Sequence, residues 1–176
     1  IEGNADLVVG KTATLFIGSD AGIDKKNVSG NIQRKGKKEF SKDATYVFNG
    51  TVKQHTGNGL PPFMRQLVFD NNSGVELDQS FLIVDKLVLK KGVVSTGKYS
   101  LAIGSSQNEP GVIERNSGLV MGRLKRWYGP KNIKSIDYPM SDLISSCLFS
   151  FTSAVPAFQT GLLELFYHEG LPDGSG

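Results

Sequence analysis

The chain has 176 residues, 39% of them hydrophobic and 21% charged, an ordinary composition for a soluble globular protein long enough to bury a real core. Its 21 glycines against 9% aromatic residues lean toward a turn-rich β fold. A net charge of +3 is too small to mark a nucleic-acid binder, and no run approaches the roughly 18 apolar residues of a membrane span.

The single cysteine, Cys147, cannot form an internal disulfide, and its place in an apolar run reads as a buried, inert thiol. The opening residues, Ile1-Glu2-Gly3-Asn4, are not a signal peptide, so an exported parent would have lost its signal or carry it elsewhere.

Residues 6–9 and 12–17 read as two short strands about Gly10. In the second, Ala13, Leu15 and Ile17 alternate with Thr12, Thr14 and Phe16, which places the first three on one face. Its end, Ile17-Gly18-Ser19, has the form of Ile103-Gly104-Ser105, so both are expected to be rungs of one kind.

Residues 20–42 hold the densest positive charge: Lys25, Lys26, Arg34, Lys35, Lys37 and Lys38. Cations in this density serve either an anionic partner, such as phosphate or acidic polysaccharide, or the protection of an exposed strand edge, the commoner use. Residues 28–32 are expected to begin a further rung, with residues 38–40 pairing against it. His55 lies in a polar turn with no carboxylate or Cys at ligand spacing and reads as a surface residue. Pro61 and Pro62 interrupt the ladder, and a strand restarts near Met64.

Residues 67–104 carry the clearest pattern. Short runs rich in Val, Ile, Leu and Phe, at residues 67–69, 75–77, 81–89, 93–95 and 99–103, alternate with Gly, Asn, Ser and Asp turns. An antiparallel sandwich or a solenoid would fit, and the repetition of one style in residues 74–92 and 93–104 favours the solenoid. At the turn, Asn71 reads as a corner residue that satisfies backbone groups along the stack. The competing reading, a calcium site with Asp70 and Asn72, lacks an Asp-x-Asp-x-Asp loop.

This stretch resembles the degenerate repeats of large surface proteins of gliding, type IX-secreting bacteria. The resemblance is carried by Leu67, Phe69, Asn71, Asn72, Gly74, Val75 and Leu77, then by Val84, Leu87, Leu89, Gly92, Val94, Thr96, Gly97, Leu101, Ile103 and Gly104. It extends to Tyr46, Phe48, Gly50, Thr51 and Gln54 upstream, and to residues 118–127 downstream. Residues 137–141 depart from it, with Met140 and Ser141 where that family has Val and Gly, which leaves the alignment beyond Pro139 open. The resemblance implies a right-handed parallel β-helix in an exported protein, followed by an Ig-like β segment, with no enzymatic activity of its own.

Residues 105–117 read as a polar connector leaving the solenoid. In residues 118–127, Arg123, Lys125 and Arg126 interleave with Leu124 and Trp127, as in a strand with one basic face; Trp127 and Tyr128 beside these cations would also suit sugar stacking. Residues 143–151 and 161–167 read as further strands.

No constellation of residues demands catalysis. Glu76 and Asp78, two apart on one strand, would hold their carboxyls about 7 Å apart, within reach of a catalytic pair, but the outward face of such a strand is polar in any case. No Ser-His-Asp set, phosphate loop or metal cluster competes, and no cofactor or metal is implied.

The expected protein is therefore all-β: a right-handed parallel β-helix in residues 1–104, a connector in 105–117, and a sandwich-like or capping β segment in 118–176 that is read as truncated. The expected function is a non-enzymatic structural or adhesion module of a larger secreted or cell-surface protein. Its partners would be neighbouring domains of the same chain and glycans or cell-surface components, with neither nucleic acid nor a transmembrane segment. The glycan or anion contacts would be Trp127, Tyr128, Arg34, Lys35, Lys37 and Lys38. The alternatives are a carbohydrate-binding or polysaccharide-degrading β-helix and an ordinary antiparallel sandwich.

Overall fold

The two-residue alternation of apolar side chains is realised as short strands stacked in parallel coils. The computed structural model describes residues 1–26, 29–129, 136–141, 146–151 and 161–166, with the backbone alone described at Ile136, Asp137, Ser141 and residues 146–151. Expectations for Val28 and for the Cys147 side chain lie outside the described residues. Among these residues there is no helix, and the chain winds into a β-solenoid of about four turns.

The first coil carries β1 (Glu2–Gly3), β2 (Leu7–Val9) and β3 (Thr14–Ile17). The second carries β4 (Gln33–Arg34), β5 (Lys38–Phe40), β6 (Thr45–Phe48) and β7 (Gln54–His55). Then follow β8 (Phe63–Asp70) with β9 (Val75–Glu76), and β10 (Phe81–Lys91) with β11 (Val93–Ser95). After these come β12 (Leu101–Ile103), β13 (Val112–Arg115) and β14 (Leu119–Met121), then β15 (Arg123–Tyr128) and β16 (Ile136–Ser141). One parallel ladder runs β3-β6-β8-β10-β12-β15, and a second runs β7-β9-β11-β14-β16. Two antiparallel strands close their far ends: β18 (Gly161–Phe166) on β15 and β17 (Ser146–Phe151) on β16.

Stacking puts like side chains over like. Leu15, Tyr46, Leu67, Leu87 and Ile113 share one column, and Ile17, Phe48, Phe69 and Leu89 share the next. The rings of Phe48 and Phe69 stack 5.6 Å apart at 20°. Both are fully buried, each worth about 1.5–3 kcal/mol of apolar burial, so the columns drive the coiling. The quasi-repeat is a true register: Val75 lies beside Val94, and Phe81 beside Leu101.

A polar corner accompanies the columns. Gln54 Nε2 donates to the carbonyls of Ile17 (2.9 Å) and Ser19 (2.8 Å), while its Oε1 accepts from Gly50 N (2.7 Å) and Asn71 Nδ2 (2.9 Å). Asn71, 1% exposed, also donates to Val52 O and accepts from Ser73 N, so it fills the corner role read from the sequence. In the next rung Gly92 (φ 73°) passes so close that a Cβ there would run into the Asn71 carbonyl oxygen.

Several expectations are corrected. Residues 38–40 pair with β2, not with residues 28–32, because the chain completes a circuit before it returns. The strands of Ile17 and Ile103 are rungs of one ladder, as expected, although the two residues stand in different columns, Ile17 beside Phe48 and Ile103 beside Ile83 and Arg126. The segment after Gly104 leaves the stack only briefly: Ser106 and Glu109 bridge a small excursion, and β13 then returns beside β10. Residues 118–127 form two strands, bent at Gly122 (φ 110°), where a Cβ would strike Thr96 Oγ1.

Candidate functional site

Uneven rung lengths create a flank of the solenoid on which unlike groups converge. Thr14 pairs with Thr45, 31 positions on, whereas Thr45 pairs with Gln66 and Gln66 with Lys86 at spacings of 21 and 20. The surplus in the first circuit lies between β3 and β4, and its residues 22–25 pack against the corner that follows β7. There Ile23 N donates to Thr56 O, Gly59 N to Ile23 O (2.8 Å), and Lys25 N to Asn58 Oδ1 (3.1 Å). Gly57 (φ 66°) allows this approach, since a Cβ would collide with the Ile23 carbonyl.

Between this packed loop, β5 and the next corner lies a cleft of about 500 Å³. It is lined by Lys38 and Phe40 of β5, by Lys25 and Asn58, and by Pro61, Pro62 and the buried Leu60. Gln79 enters from the following rung, fixed by its Nε2 bond to Leu60 O (2.9 Å). Lys38 Nζ donates to the backbone carbonyl of Asp24 at 3.0 Å. Burial lowers the pKa of Lys38, opposed by the Asp24 charge, so its ammonium is the less hydrated of the two lining the cleft. Phe40 meets Tyr46 edge-on at 6.4 Å and 67°, which leaves ring surface for the cleft.

The structure disperses the remaining sequence candidates. Arg34 Nε donates to Ala5 O, and Lys35 N donates to Gly3 O, both on the β1 side of the first circuit. The Lys37 ammonium lies 2.5 Å from Glu39, and that bond raises the Lys37 pKa. Trp127 and Tyr128 stand in β15, four strands along the ladder from β6, about 19 Å at the usual strand spacing. Tyr128 is buried, 3% exposed, so its ring is not presented to solvent. Of the six residues, Lys38 alone lines the cleft.

Reasoning from the sequence missed Lys25's partners in the cleft: Phe40 and Asn58 of the second circuit and Gln79 of the rung after it. Glu76 and Asp78 do not form a free carboxylate pair. Glu76 contacts Lys53 at 2.9 Å, a bond that lowers its pKa, and Asp78 accepts from Gly57 N (2.7 Å) while facing His55 Nδ1 at 3.2 Å. Asp70 lies 3.3 Å from both Lys90 and Lys91, so it does not join Asn71 in a cation site. Among the described residues no group of three or more His, Cys, Asp or Glu side chains is placed to hold a metal ion. No helix among them is long and apolar enough to cross a membrane.

No protein-family model matches the chain, and it matches no curated protein and no solved structure.

Proposed function

We propose that the chain is a non-enzymatic structural module of a larger secreted or cell-surface protein, a stiff β-solenoid that spaces or displays the domains joined to it. The observation that carries this reading is the pairing of outward charges from rung to rung. Arg65 meets Asp85 at 2.6 Å, Lys86 meets Glu114 at 2.7 Å, and Lys53 meets Glu76 at 2.9 Å. A polysaccharide-cleaving β-helix needs carboxylates gathered and available in a groove. Here these carboxylates are set against cations of the neighbouring rung, where each pair adds little energy but opposes a slip in register. The resemblance of residues 67–104 to repeats of type IX-secreted surface proteins supports export, and neighbouring domains of the parent chain are the expected partners.

The test is protease shaving of intact source cells, with peptides of this chain sought by mass spectrometry. Release from intact cells is expected; recovery only after lysis would overturn the surface location. Sugar released from acidic polysaccharides by the purified chain would overturn the non-enzymatic reading.

A further inference from the structure

The cleft beside β5 has a chemistry that stacking does not require. We propose that it binds an anionic saccharide, the acid group against Lys25 and Lys38 and the sugar ring against Phe40. The proposal stands on the cleft alone and does not depend on where the protein is located.

Three features point to this ligand class. The first is charge: among the described residues two lysines line the cleft and no carboxylate does. An ammonium has three N–H donors, and Lys38 commits one to Asp24 O, which leaves donors for a ligand oxygen. Lys25 is exposed and uses its backbone N–H, not its ammonium, to hold Asn58. The Asp24 carboxylate accepts from Lys26 N at 3.0 Å, within its own loop.

The second feature is the pairing of an apolar wall with amides. Phe40, Pro61 and Pro62 offer rigid apolar surface, and the amides of Asn58 and Gln79 stand beside it. A pyranose presents C–H faces and hydroxyl edges, which such a wall and amides complement, whereas inorganic phosphate would use neither. The third is size: about 500 Å³ falls inside the roughly 300–1,000 Å³ usual for small-ligand sites. A nucleic acid would call for several aromatic platforms and a basic track. Among the described residues one aromatic ring, Phe40, lines the cleft.

The test is calorimetric titration of the full chain with oligogalacturonate, with its methyl ester, and with a sulfated heparin-type oligosaccharide. The ester keeps the ring and removes the charge. Saturable binding of either acidic oligomer, absent for the ester, is expected; which one binds assigns carboxylate or sulfate as the preferred group. Lys25→Glu and Lys38→Gln should each weaken it by about tenfold or more, as for a lost hydrogen bond to a charged group. Gln79→Ala should weaken it less. Lys98→Glu, the same charge change on a distant rung, should leave it unaltered. Circular dichroism of each variant separates lost binding from lost fold. The proposal is overturned by no binding of either oligomer, by equal binding of the ester, by equal weakening from Lys98→Glu, or by stronger binding of a single-stranded oligonucleotide.

Discussion

Replacing Gln54 by Ala tests how the first circuit is held to the rest. The side chain is fully buried and makes four hydrogen bonds: to the carbonyls of Ile17 and Ser19, from Gly50 N, and from Asn71 Nδ2. Each is worth about 1 kcal/mol net, and a buried group left without a partner costs about 1–3 kcal/mol. Summing the larger figure over four groups would exceed the 4–5 kcal/mol that marks the extreme for a single substitution. Water can re-satisfy Ser19 O and Gly50 N, which are only partly buried, so the loss should settle near 4 kcal/mol. Urea unfolding measures it, with Gln33→Ala, an exposed amide making one 3.3 Å bond, as control. Hydrogen exchange should show the opening localised to residues 1–19, because a solenoid rung is held only by its neighbours. A loss below about 1 kcal/mol, with exchange unchanged in β3, would refute the reasoning.

Two further outcomes follow from close approach and burial. Gly92→Ala should destabilise far more than Gly97→Ala in thermal melts. Both glycines have positive φ and so share a left-handed penalty of about 1–2 kcal/mol, but only at Gly92 would the Cβ meet the Asn71 carbonyl, while the space around Gly97 is open. Burial raises the pKa of Tyr46 to about 12. Its contribution is therefore fully present below the ordinary tyrosine value of about 10 and is lost as pH rises through about 12. Tyr46→Phe should lower stability near neutrality, by removing the 2.7 Å bond to Ser41 O, and should flatten the alkaline decline in urea midpoints.

What the sequence displayed was what depends on near neighbours. Alternation in Phe81–Lys91 and the recurrence of Val75 as Val94 mark strands whose inner faces must be apolar, so the solenoid could be read from them. Asn71 was legible because a corner needs a short side chain that bonds locally. Hidden from view was β4, a strand of two polar residues, and so was the partner of β5, because the register of both comes from β1 and β2 some thirty residues earlier. The β13 strand was hidden for the same reason, since Glu114 and Arg115 look like loop residues until β10 is beside them. His55 seemed alone in sequence, yet the next rung brings Asp78 to 3.2 Å. The cleft was the least legible of all: Lys25, Phe40, Asn58 and Gln79 share no local pattern, and only the surplus chain of the first circuit brings them together.

The reversal of direction at the far end makes a last expectation calculable. A parallel coil could keep adding rungs, but β17 and β18 run against β16 and β15, which interrupts the parallel stacking among the described residues. Leu163 and Leu165 of β18 pack on the core, and Tyr138 donates to Leu163 O at 3.1 Å. Beneath them Leu124, Tyr128 and Tyr138 are at most 3% exposed. Removing residues 142–176 uncovers these three, each losing part of about 1.5–3 kcal/mol of burial, and frees the edges of both ladders at once. The shortened chain should keep its β circular dichroism, bind a hydrophobic dye and form concentration-dependent assemblies in light scattering. A monomer with unchanged dye binding would show that the antiparallel strands do not cap the core, and a loss of β signal would show that they hold the rungs together instead of closing them off.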